Sequence, residues 1–94
     1  MNLQGKMKTK ISEKSGVSQN TNKEWKIAEF LLEVPARANY FVCLKVRGAD
    51  RIAKFEAYIG KDVVVDIGVE SHEHNGRWYT EVEAWGVGEY VAHS

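Results

Sequence analysis

Three observations predict an all-β fold, a five-stranded antiparallel barrel with one short helix. Five segments alternate apolar and polar residues, one stretch of helical period lies between the third and fourth, and an Asn-Gly step precedes the last. The 94 residues make one domain, 1–94, long enough to bury roughly two-thirds of its unfolded surface.

The first segment, NLQGKMKTKI, alternates weakly from Asn2, with Leu3, Gly5 and Met7 on one side. The polar stretch EKSGVSQNTNK then marks a flexible loop near 13–23. The second segment, EWKIAEFLLEV, offers Lys26, Ala28, Phe30, Leu32 and Val34 as its better core face and turns Trp25, Ile27, Glu29, Leu31 and Glu33 outward. Pro35 breaks the run, and ARAN connects to the third segment. There Val42, Leu44 and Val46 form an inner row, while Phe41, Cys43, Lys45 and Arg47 form an outer one. Beyond Gly48, the spacing of Ile52, Phe55 and Ile59 predicts a short amphipathic helix ending at Gly60.

The fourth segment sends Val63, Val65, Ile67 and Val69 inward, with Asp66, Glu70, His72 and His74 outward. Asn75-Gly76 is a strong hairpin signal, because both turn residues must accept positive φ. The last segment divides into Trp78, Thr80, Val82 and Ala84 against Tyr79, Glu81, Glu83 and Trp85. Trp78 is expected to pack into the barrel, and a short tail to begin at about 88. Three strands, a helix, then a hairpin is the arrangement of an OB-fold, a small Greek-key barrel whose helix plugs one end. An SH3-like barrel and a plain meander with a packed helix are the competing architectures.

Composition excludes several classes. The charged fraction of 28% and the lack of a long apolar run argue against a membrane span. Cys43 is the only cysteine, so no internal disulfide forms and a reducing, cytoplasmic setting is expected. Net charge is zero but unevenly placed. Residues 1–26 carry six lysines against Glu13 and Glu24, a net of +4, whereas 62–94 carry seven acidic groups and only Arg77, a net of −6.

Four motifs carry a family resemblance: NKEWKIAEFLLE, the strand ending KVRG, the step IGKDV, and the hairpin NGRWYTEVEAW. Over about residues 3–87 the chain resembles a family of short bacterial proteins of unknown function with an OB-fold, and it is distantly similar to bacterial single-stranded DNA-binding protein. The distant similarity implies binding of single-stranded nucleic acid across strands two and three and the loops beside them. The DNA-binding family carries stacking aromatics and cations on the outer row of strand three, here Phe41, Lys45 and Arg47. Arg47 stands where that family commonly has a further aromatic.

Physical chemistry supports the same reading, because single-strand binding needs ring faces for bases and cations that follow phosphates. Phe41 and Trp25 are the expected stacking rings; Lys23, Lys45, Arg47 and Arg77 are the expected phosphate partners. The expected partner is single-stranded DNA or RNA, bound with little sequence preference, and a homo-oligomer is expected. Outward Glu29 and Glu33 repel phosphate and favour the alternative, a protein-interaction or oligomerisation module that does not bind nucleic acid.

Glu70, His72 and His74 project from one strand face, a spacing that can chelate zinc. A closed site needs a fourth ligand from Cys43 or His93, so solvated histidines are the plainer reading and no metal is expected. No phosphate loop, nucleophile elbow or paired carboxylates occur, so neither catalysis, a cofactor nor a small-molecule substrate is expected.

Overall fold

The computed structural model describes residues 2–35 and 40–90. The ARAN connection and His93 lie outside these residues. The chain runs β1 (Asn2–Val17), β2 (Glu24–Val34), β3 (Tyr40–Arg47), α1 (Ala49–Glu56), β4 (Asp62–His74) and β5 (Arg77–Glu89). The strands close into a barrel of order β1-β2-β3-β5-β4.

β1 belongs to both ends of that order. Its start, Asn2–Lys6, pairs with β4, and its remainder pairs with β2 out to Val17 opposite Glu24. Register shifts between Met7 and Thr9 and between Lys10 and Ser12 bend the strand from one partner to the other, as bulges do at barrel corners. The Gly60–Lys61 turn clasps this bend through Gly60 N–H to the Met7 carbonyl at 2.7 Å and Met7 N–H to the Lys61 carbonyl at 3.0 Å. Four of the five pairings are antiparallel; the contact of β3 with β5, at Lys45 and Glu83, is parallel. The helical crossover delivers β4 beside β1, and its hairpin return then runs β5 in the same direction as β3.

The inner rows meet in one core: Met7, Ala28, Phe30, Leu32, Val34, Leu44, Val46, Val63, Val65, Ile67, Ala84 and Val87. Ile52 and Phe55 of α1 plug one end, with the Phe55 and Phe30 rings 5.7 Å apart. A register shift between Asp66 and Ile67 places Trp85 as an extra residue on β5, so that Ala84 and Val87 both face in. No helix among the described residues is long and apolar enough to cross a membrane.

Four local expectations are corrected. Residues 13–17 continue β1, so the turn shrinks to 18–23, closed by Ser18 N–H on the Lys23 carbonyl at 2.9 Å. This part of the ladder projects past the core and needs no apolar row, which leaves a loop-like composition. Trp78 is 68% exposed rather than packed in the barrel. The β4–β5 hairpin outruns the barrel, so the row that is inward at Ile67 and Ala84 faces solvent at Val69 and Trp78. Ile59 falls beyond the helix end at Glu56 and is exposed, while Tyr58 packs on the core instead. Pairing of β5 with β4 runs to Glu89 opposite Val63, so the expected tail from 88 begins as strand.

Candidate nucleic-acid interface

The outer rows of β1, β2, β3 and β5 form one continuous surface because the ladder sets outward residues opposite one another. Gly16 pairs with Trp25, Ile27 with Arg47, Glu29 with Lys45, Leu31 with Cys43, and Glu33 with Phe41. Two grooves open on this surface.

The first, about 650 Å³, is lined by Gly16, Val17, Trp25, Ile27, Arg47 and Gly48. Trp25 lies so close over Gly16 that a Cβ there would sit 2.6 Å from Cζ2, so glycine is what lets the indole rest on β1. Trp25 keeps 44% of its surface exposed. The Arg47 guanidinium forms an ion pair with Glu83, Nε to Oε1 at 2.9 Å, with the arginine side chain still 54% exposed.

The second, about 430 Å³, is lined by Glu29, Phe41, Cys43, Lys45, Thr80 and Glu81, with Val42 and Val82 beneath. Both volumes fall in the range of ligand clefts. Phe41 is 55% exposed. Lys45 Nζ donates to Glu81 Oε1 at 3.3 Å. Glu29 accepts from the Cys43 thiol at 3.0 Å and from the Ser12 hydroxyl at 3.1 Å. The Cys43 bond, then that of Ser12, holds the Glu29 carboxyl below its usual range, with Lys14 and Lys45 adding attraction. Partial burial, reinforced by Glu29, pushes the Cys43 thiol up to about 11. The sulfur therefore remains a protonated donor rather than a nucleophile.

The structure thus brings Trp25 and Arg47 into one groove and Phe41 and Lys45 into its neighbour. Lys23 sits in the exposed 18–23 turn and lines neither; Arg77 is exposed at the hairpin, opposite His74. Sequence reasoning missed that Glu81 and Glu83 would reach Lys45 and Arg47. Their outward parity was visible, but their partners depend on the parallel contact of β3 with β5. Both pairs are partly buried, with the Lys45 and Glu83 side chains 27% and 17% exposed. Among the described residues no His, Cys, Asp and Glu side chains gather into a metal-holding group, and His72 Nε2 instead lies 3.4 Å from Glu70.

A closed five-stranded barrel of order 1-2-3-5-4, plugged by a helix between its third and fourth strands, is an OB-fold. A solved structure of the same fold is the mitochondrial single-stranded DNA binding protein Rim1 of S. cerevisiae, with a TM-score of 0.67 at 14% identity. The match covers 95% of this chain and 91% of that one. The chain belongs to the DUF3127 family, a domain of unknown function, whose model matches residues 2–88. No curated protein matches the sequence.

Proposed function

We propose that this OB-fold domain binds single-stranded nucleic acid across the outer surface of β2 and β3, without catalysis. One observation carries the reading: two half-exposed rings, Trp25 and Phe41, stand in adjacent grooves, each beside a cation of β3. Each ring supplies a stacking platform for a base, worth ~1–3 kcal/mol, while Lys45 and Arg47 meet phosphates. Lys23 and Arg77 extend the positive track along the two hairpins. The fold shared with a single-stranded DNA binding protein supports the same reading.

Titrating a mixed-sequence 30-nucleotide DNA single strand against intrinsic tryptophan fluorescence tests it. Quenching is expected, with log affinity falling linearly as log salt rises, because counterions are released from the strand. Unchanged fluorescence at low salt overturns the reading.

A second reading, a protein-contact or self-association module, is favoured by the projecting hairpin. Val69, Trp78 and Tyr79 are 50%, 68% and 51% exposed there, more apolar surface than a free hairpin needs. Sedimentation that shows a concentration-dependent dimer, together with no response to the strand, supports this alternative.

A further inference from the structure

The second groove has the wrong charge for a phosphate. It holds one ammonium, Lys45, against two carboxylates, Glu29 and Glu81, around the Phe41 ring. Two of its side-chain donors already have acceptors, Cys43 donating to Glu29 and Lys45 to Glu81, while the Thr80 and Ser71 hydroxyls lie 3.1 Å apart and either can donate to the other. Lys45 has further N–H groups, which serve a phosphate at the groove edge. A ring that enters to stack on Phe41 therefore meets carboxylate oxygens along its edge.

Nucleobases differ in what they offer such an edge. Cytosine presents an exocyclic N4 amino group, for which a glutamate carboxylate is a matching acceptor. Thymine and uracil present a carbonyl oxygen at that position, which a carboxylate repels, and keep only the single N3–H beside it as a donor, against the two N–H bonds of the cytosine amino group. We propose that the groove of Glu29, Phe41, Cys43, Lys45 and Glu81 is a base-reading site that takes amino-bearing bases, cytosine first, and rejects thymine and uracil. This rests on the single-strand reading above and replaces base-indifferent binding at this one groove; the Trp25 groove remains sequence-tolerant. Glu29 is suited to the role because two internal donors fix its carboxylate in place and keep it ionised at neutral pH.

Fluorescence anisotropy with end-labelled dC20, dT20 and the mixed-sequence strand tests the assignment. The comparison is made at pH 8, where cytosine stays unprotonated and dC20 does not form protonated C·C pairs, so that it isolates the base edge. The intact protein is expected to bind dC20 about fivefold or more tighter than dT20, the discrimination expected of one good base-edge contact. Glu29→Gln, whose amide both donates and accepts, is expected to bring the two affinities together. Glu81→Gln is the second variant, expected to narrow the ratio without contact to Cys43. Equal binding of dC20 and dT20 by the intact protein, or tighter binding of dT20, overturns the base preference and leaves the single-strand reading standing. An unchanged ratio in both variants likewise overturns the assignment to this groove. Failure of all three strands to bind removes the single-strand reading and this proposal with it.

Discussion

On the proposed reading Trp25 and Phe41 stack bases while Lys45 and Arg47 meet phosphates, and substitutions separate the two roles. Phe41→Ala is expected to weaken strand binding by ~1–3 kcal/mol with the salt slope unchanged, because a stacking ring releases no counterion. Lys45→Ala is expected to lower that slope by about one unit, as loss of one phosphate contact does. Glu83→Gln removes the carboxylate that competes for Arg47 at 2.9 Å, so affinity should rise by a few-fold at low salt. Titrations at three salt concentrations read all three effects. Cys43 carries a separate prediction. Its thiol holds a proton to about 11 in the fold but releases it near 9.0 in the unfolded chain. Burial of the thiol first, and then its bond to Glu29, favours the protonated form, so this stabilisation is complete below pH 9.0 and is lost as pH rises towards 11. The rate of alkylation by iodoacetamide should reach its midpoint near 11 in the native protein, and Glu29→Gln should lower it; a midpoint that Glu29→Gln leaves unmoved contradicts the thiol–carboxylate bond.

The strands divide into parts that form the barrel and parts that leave it, and this division decides what alternation reveals. Within the barrel the pattern was legible: Phe30 and Leu32, Leu44 and Val46, Val63 and Val65 all face in, and Phe41 and Arg47 face out. Beyond it the same period carries no burial, because among the described residues no second layer covers either face. Residues 13–17 looked like loop for this reason, and Trp78 looked like core. Trp78→Ala should therefore change unfolding stability by no more than about 0.5 kcal/mol, as surface substitutions do. Phe30→Ala, at the centre of the core, should cost about 3–5 kcal/mol. Urea denaturation of the two variants compares them directly. A Trp78→Ala cost matching that of Phe30→Ala would place the hairpin against the barrel. Gly16→Val should push Trp25 off β1 and weaken strand binding, since the three atoms nearest to an added Cβ all belong to the indole.

Taken as one molecule, the barrel turns a chain of zero net charge into a surface where opposite charges interlock. Charge of opposite sign at the two ends of the chain left two readings open, a polarised surface or strands that intermix in space. Closure through β3 and β5 lays Glu81 and Glu83 of the acidic end beside Lys45 and Arg47 of the middle segment. Residue parity contained both halves of these pairs. Their meeting required the parallel register at Lys45 and Glu83, which no local pattern encodes. The element order, the hairpin and the inward rows were enough for the OB-fold, while the two grooves and their carboxylates needed the closed barrel. Amide chemical shifts of the labelled protein, followed as a mixed-sequence single strand is added, test the proposed binding surface most directly. Perturbations should gather on residues 25–29, 41–47 and 81–83. Shifts confined to the hairpin between 70 and 80, or none at saturating strand, would contradict it.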